Sequence, residues 1–310
     1  MHSNIKQLSK QISNGDFLSL AKAITIVENE LPGYQSLLMN PERTHNPQIV
    51  GITGPPGAGK STLLNDLLHY WLKQNKKIAV IAIDPSSPFN YGALLGDRIR
   101  MSEFYTNPNV FIRSFASRGA LGGLNAKIIE ITDVVKQAPF DLIIIETVGV
   151  GQSEVEIAGL ADCTVVVLVP EAGDEVQTIK AGIMEIADVF VVNKADREAA
   201  EALYRNLRIL VHERAGRNKE TPVIKTIATE EKGIEELAAE IDNFMKEEHE
   251  LNEKRKHLLV EKSWQLMQAH RMKNIDRAHL SKELAEALKK SDFNLYAFTE
   301  NFLEKNSPGN

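Results

Sequence analysis

The run Gly54-Pro-Pro-Gly-Ala-Gly-Lys-Ser61 constrains this chain more than any other stretch, because it matches G-x-x-x-x-G-K-[ST] at every fixed position. An apolar stretch, Ile49-Val-Gly-Ile52, precedes it, and a helical pattern, Thr62-Leu-Leu-Asn-Asp-Leu-Leu68, follows. A strand that ends in such a run and resumes as a helix turns its backbone N–H groups inward, with the positive end of a helix behind them. That is a cradle for phosphate. Lys60 is expected to reach the β- and γ-phosphates of a nucleotide, and the Ser61 hydroxyl to ligate Mg²⁺. A plain Gly/Pro turn is the competing reading, and the strand and helix in register on either side argue against it.

Composition narrows the class. The chain has 310 residues, 43% hydrophobic and 25% charged, with a net charge of −6. These values suit a globular protein with one large α/β domain plus additions, or with two modest domains. Acidic and basic residues are interspersed and form no basic block, so nucleic acid is not an expected partner. The single cysteine, Cys163, lies in the apolar run Cys163-Thr-Val-Val-Val-Leu-Val169 and is expected to be a buried structural thiol. No apolar run approaches the ~20 residues of a membrane span, and the first residues carry no apolar signal region. A cytoplasmic protein without membrane contact is the expectation.

The pattern along the chain predicts three parts: an N-terminal helical extension over 1–47, a nucleotide-binding domain over 48–247 and a C-terminal helical arm over 248–310. In the first part Ile5, Leu8 and Ile12 recur at helical spacing. Asn14-Gly-Asp16 breaks the pattern, with Asp16 as the candidate N-cap of a second helix reaching about Val27. Pro41, Asn46 and Pro47 mark a linker. In the second part seven strands are expected at 49–53, 78–83, 110–113, 141–146, 163–169, 188–192 and 223–227. The first, fourth, fifth and sixth are almost continuous Val, Ile and Leu, as strands buried on both faces are. Strands alternating with helices imply an α/β fold with a doubly wound, mostly parallel sheet and ligands at the strands' carboxyl ends. In the third part Leu258, Leu259, Leu266, Leu280, Leu284 and Leu288 lie on helical patterns too few to build a large core. Either a dimerisation arm or a small independent subdomain fits them.

Further motifs sharpen the chemistry. Asn193-Lys-Ala-Asp196 follows the apolar run Val189-Phe-Val-Val192 and is an N-K-x-D pattern. The Asp196 carboxylate can accept from both the ring N–H and the exocyclic amine of guanine, a two-point contact that adenine cannot answer. Asn193 suits the guanine carbonyl edge and nearby loop backbone, and the Lys194 stem can lie over the base. An unanswered carboxylate in a dry pocket costs on the order of 1–3 kcal/mol, which disfavours ATP. The strand Leu142-Ile-Ile-Ile145 ends in Glu146-Thr-Val-Gly149. An acid there can hold a Mg²⁺-bound water, and Gly149 lets a backbone N–H approach the γ-phosphate. Gln152 is placed either to orient the attacking water or simply to start the next helix. Asp84, at the end of the second strand, and Asp97 are candidates for the Mg²⁺ shell, with a helix cap as the alternative for each. Arg118-Gly-Ala-Leu-Gly-Gly123 reads as a switch, a contact loop or a turn. The eight histidines show no metal-ligand spacing.

Together these motifs resemble the MeaB/ArgK/MMAA family, P-loop GTPases of the SIMIBI class that act as chaperones of adenosylcobalamin-dependent acyl-CoA mutases. The resemblance runs from Asn14-Gly-Asp16 through Gly51–Thr62, Asp84-Pro-Ser-Ser87, Leu95–Arg98, Leu121–Leu124, Glu146–Glu154, Ala172–Glu175 and Gly182–Asp188. Tyr91 and Glu171 depart from it, standing where small residues are usual. The resemblance implies GTP hydrolysis to GDP, coupled to loading, protection or reactivation of a methylmalonyl-CoA mutase-type enzyme. Nucleotide contacts are implied for Gly54, Pro55, Pro56, Gly57, Ala58, Gly59, Lys60, Ser61, Thr62, Gly149, Asn193, Lys194, Asp196 and Ala228, the last through its backbone N–H to the base. Lys60, Asp97, Glu146 and Gln152 are implied at the reaction centre, and Ser61, Asp84, Asp97 and Glu146 around Mg²⁺. The segment Gly173–Lys180 matches an extra switch of the family, and a homodimer through the C-terminal arm is implied. A nickel-inserting metallochaperone GTPase, a kinase or ATPase of amino-acid transport and a protein-targeting GTPase are the competing readings. The chain lacks the His-rich metal segment of the first and the Met-rich domain of the last, and Asp196 opposes the ATP use of the second.

Overall fold

The computed structural model describes residues 2–39, 41, 45–84, 101–116, 127–148, 153–170, 184–215, 220–247, 253–272, 276–289 and 293–306. Seven strands form one sheet in which every pairing is parallel: β1 (Gln48–Thr53), β2 (Ile78–Asp84), β3 (Val110–Ala116), β4 (Leu142–Glu146), β5 (Cys163–Leu168), β6 (Val189–Val192) and β7 (Val223–Lys225). The order across the sheet is β3-β2-β4-β1-β5-β6-β7. This is the doubly wound α/β fold the strand–helix alternation predicts. β1 is central, with β2, β3 and β4 on one side and β5, β6 and β7 on the other. Connections that leave in opposite directions open a crevice at the carboxyl ends of the central strands, and the Gly54–Ser61 run lies at that end of β1.

Burial follows the predicted pattern. Every residue of β4, β5 and β6 is buried, as is all of β1 beyond Gln48. β2, Ile-Ala-Val-Ile-Ala-Ile-Asp, is buried throughout as well, because it lies between β3 and β4. The edge strands β3 and β7 are only partly covered. Helices α4 (Lys60–Lys73) and α8 (Ile234–Lys246) cover one face through Leu63, Leu67, Trp71, Leu237 and Ile241. Trp71 Nε1 and Lys76 Nζ both donate to Asp242 Oδ1, at 3.2 and 2.9 Å, which pins the two helices together. Helix α6 (Ser153–Leu160) and helix α7 (Ala200–Ala215) contribute Ala158, Leu203 and Leu207 to the opposite face. Cys163 is fully buried, and that burial pushes its thiol well above its ordinary value, as an inert structural cysteine requires.

The N-terminal helices are part of this packing. Helix α1 (His2–Ser13) ends at the predicted break, and Asp16 caps helix α2 (Phe17–Glu28) by accepting from Ser19 N at 3.2 Å. A third helix, α3 (Tyr34–Met39), follows. Phe17 stacks on Phe140 and meets Phe111 edge-on. Arg113 of β3 donates to Ala21 O and Thr25 Oγ1 at 2.9 and 3.0 Å. One compact unit, residues 1–255, holds these helices, the sheet and helix α5 (Ile128–Val135). The second unit, residues 256–310, contains most of α9 (Glu253–Arg271), α10 (Arg277–Ala287) and α11 (Leu295–Asn306). Among the described residues no helix is long and apolar enough to cross a membrane.

Candidate functional site

The phosphate loop owes its shape to backbone that only glycine tolerates. Gly54 has φ +139, and a Cβ there would sit 2.0 Å from the Val167 carbonyl oxygen. Gly59, the residue before α4, has φ +86, and its Cβ would fall 2.4 Å from Asn193 Nδ2. Gly59 offers no side-chain cap and the first turn of α4 carries no acid, so the first N–H groups of this 14-residue helix face the loop with their partial positive charge intact. The Lys60 ammonium is buried and donates to Gly54 O at 2.8 Å and Pro55 O at 3.1 Å, curling back over the cradle. N–H groups, a helix N-terminus and a buried cation converge here. The arrangement suits a polyphosphate.

The acidic side of the site comes from neighbouring strand ends. Ser61 Oγ donates to Glu146 Oε1 at 2.8 Å, both residues being buried. Asp84 ends β2 and is buried too. One hydroxyl and two carboxylates form an all-oxygen donor set, which fits Mg²⁺ and does not suit a soft metal. No group of three or more His, Cys, Asp or Glu capable of holding a metal occurs among the described residues. Thr147, next after Glu146, donates from Oγ1 to Thr53 Oγ1 at 2.8 Å.

The Asn193 end of the site is tied directly to the phosphate loop. Asn193 Nδ2 donates to Ala58 O at 2.9 Å, while Asn193 Oδ1 accepts from Thr226 Oγ1 at 3.0 Å and from Ala228 N at 3.3 Å. The side chain is a strut between the phosphate loop and the loop after β7. The sequence reading assigns Asn193 to guanine and nearby backbone; in this structure its amide bonds go to protein. Ala228 N–H, assigned to the base by resemblance, points at Asn193 Oδ1. Lys194 adopts a left-handed φ of 56, rare for a side chain of its length, and Asp196 is exposed at the mouth of the crevice. Thr226, wholly buried, and the Thr53–Thr147 pair escaped the sequence reading, because their partners are distant in the chain. Asp97, Gly149 and Gln152, together with 118–123 and 173–180, lie outside the described residues.

Residues 20–279 match the model of a family described as the methylmalonyl-CoA mutase-associated GTPase MeaB. The chain belongs to this family. It is therefore a P-loop GTPase that binds GTP and hydrolyses it to GDP and phosphate. A Pyrococcus abyssi protein provisionally described as a GTPase is 47% identical over 265 residues, 83% of this chain and 82% of that one. The GTPase ArgK of Escherichia coli K12 is 37% identical over 247 residues, 76% of this chain and 74% of its own length. Among solved structures, one described as an LAO/AO transport system kinase aligns with a TM-score of 0.67 at 25% identity, covering 98% of both chains.

Proposed function

We propose that this GTPase is a chaperone of an adenosylcobalamin-dependent acyl-CoA mutase of the methylmalonyl-CoA mutase type, gating cofactor loading and protecting or reactivating the enzyme. The match of residues 20–279 to a family described as mutase-associated carries the reading. The site geometry supports a switch, because the phosphate loop, the Glu146 segment and the guanine loop are wired to one another through Ser61–Glu146 and Asn193–Ala58.

In this reading the loop amides from Gly54 to Thr62 and the Lys60 ammonium hold the β- and γ-phosphates, and Lys60 leaves the Gly54 and Pro55 carbonyls to do so. Ser61, Asp84 and Glu146, with Asp97, hold Mg²⁺, which supplies charge neutralisation at the phosphates undergoing transfer. Glu146 and Gln152 orient water for attack in line with the bond to the leaving GDP. Asn193 fixes the distance between the phosphate and guanine loops, and Asp196 accepts the two guanine N–H donors. No arginine finger is evident in cis in the sequence, so turnover is slow alone and faster with the partner bound. The 173–180 segment carries the nucleotide state to the mutase, and the C-terminal helices join two copies in the cytoplasm.

A kinase of amino-acid transport would require ATP; the N-K-x-D motif after β6 favours GTP instead. Capture from a native lysate on the tagged full-length protein decides between them. With a non-hydrolysable GTP analogue a cobalamin enzyme is retained, and with GDP much less of it. Retention of no cobalamin enzyme in either nucleotide state defeats the proposal.

A further inference from the structure

β7 is the last strand of the sheet, so one of its sides has no strand beside it. The parallel register fixes which backbone groups lie on that side. Phe190 N donates to Pro222 O and Thr226 N to Val192 O, both at 2.9 Å, with Phe190 opposite Val223 and Val192 opposite Lys225. Residues 222, 224 and 226 therefore turn their backbone groups towards β6, and Val223 and Lys225 turn theirs the other way. The Val223 N–H, the Val223 C=O and the Lys225 N–H make no hydrogen bond to a described residue. Lys225 O faces Gly233, where a Cβ would fall 2.2 Å from it, so the open stretch ends there. Pro222 faces β6 and removes no donor from the open side. Such an edge is a template for one more strand.

The open edge borders a cleft of about 250 Å³ between α7 and α8. Tyr204, Arg208 and Val211 form the α7 wall, and Glu236 and Glu240 the α8 wall. Glu236 and Glu240 stand one helical turn apart, a like-charge pair that weakens a helix unless a cation answers it. Neither carboxylate has a hydrogen bond or ion pair to a described residue. The third carboxylate of the cleft, Glu220, is already paired with His212. A strand laid along β7 alternates its side chains between the two walls. One set meets Glu236 and Glu240; the other meets Tyr204, Val211 and the Arg208 guanidinium, which repels a second basic set. We infer that the β7 edge is a docking site for an extended segment of another protein, with basic residues at alternate positions and apolar residues between them. Two copies of this chain pairing β7 with β7 would bring two acidic rims together, and a nucleic acid would bring phosphates to them. The charge therefore selects a basic peptide. The inference uses none of the residues assigned to nucleotide and stands apart from the mutase reading.

The probe is a short fluorescent peptide alternating lysine and valine, titrated with the protein and followed by anisotropy. It is expected to bind, and replacing its lysines by glutamate is expected to weaken binding about tenfold or more. Methylation of the peptide's amide nitrogens separates a strand ladder from simple charge attraction. Backbone groups of a strand alternate between its two sides, so methylating one alternate set should weaken binding about tenfold or more, and methylating the other should leave it within about twofold. Glu236→Lys with Glu240→Lys should reverse the preference, so that the glutamate peptide binds the more tightly. That variant should keep its melting temperature within a few degrees and its GTP turnover within about twofold, as substitutions on a helix surface do. No binding at millimolar peptide overturns the inference, as does equal loss from the two methylated sets, which means charge alone. A preference that survives the charge reversal also overturns it. Self-association of the parent that the peptide fails to displace and the charge-reversed variant abolishes would assign the edge to a second copy instead.

Discussion

The nucleotide crevice and the C-terminal helices invert each other's chemistry. The crevice buries what is normally exposed: Lys60 is 7% accessible, Glu146 3% and Asn193 2%, each with hydrogen bonds to protein. The unit over 256–310 exposes what is normally buried. Trp264 is 58% and Met267 53% accessible, with Leu259, Val260 and Leu266 open beside them, and Phe302 is its buried apolar residue among those described. Burying charge costs several kcal/mol unless partners are in place, so a crevice of this kind is prepared for a charged ligand. Trp264, Met267, Leu259, Val260 and Leu266 leave apolar side chains in water along one helix. One region encloses charged groups, and the other leaves apolar side chains in water.

The largest expected effect tests the first half of that contrast. Lys60→Ala should weaken GDP and GTP binding about 100-fold, the equivalent of the roughly 3 kcal/mol that hydrogen bonds to a buried charge can be worth. A titration with fluorescent nucleotide reads it, and a loss below threefold would mean the buried ammonium serves the loop alone. Asp196→Ala comes next. GTP affinity should fall about tenfold or more while ATP affinity stays as it was, because only guanine offers the paired donors. Competition of each nucleotide against labelled GDP would show an unchanged preference if the exposed carboxylate reads nothing.

How far sequence reasoning reached differs between these regions. Strand positions and the phosphate loop were legible, because continuous Val/Ile/Leu runs and a fixed glycine spacing are local signals. The Asp16 cap was legible for the same reason, since it depends on residues three apart. The Asn193 strut was half legible: its motif is local, but its bond to Ala58 spans 135 positions. The clamp of Arg113 on α2 and the Thr53–Thr147 pair left no local trace, because each joins segments that only the parallel crossovers bring together. In the C-terminal unit the leucine pattern announced helices, while the exposure of Trp264 and Met267 emerged only from the fold.

A double charge on the exposed face addresses the other half of the contrast. Trp264→Glu with Met267→Glu should leave basal GTP turnover within about twofold, as expected of exposed sites. If the C-terminal helices join two copies as proposed, it should also convert that assembly into single copies in analytical ultracentrifugation. Retained assembly would place the interface elsewhere. The smallest effect is electrostatic. Asp66 of α4 is pushed up to about 6, first by partial burial and then by Glu231 and Glu103, with His69 opposing. The folded state therefore holds this proton more tightly than the unfolded state does. Its favourable contribution is full below the ordinary carboxylate value and is lost as pH rises through about 6. Asp66→Asn should accordingly match the parent near the ordinary carboxylate pKa and become the more stable of the two at neutral pH, read by urea denaturation at each pH. Curves that stay parallel would show that the carboxylate does not feel its neighbours.

The most direct measurement is the GTP turnover of the protein against rising concentrations of an adenosylcobalamin-dependent acyl-CoA mutase of the methylmalonyl-CoA mutase type. Turnover is predicted to be slow alone and to rise to saturation with mutase, accompanied by a complex on size exclusion in the presence of a non-hydrolysable GTP analogue. An unchanged rate with no complex would contradict the chaperone role.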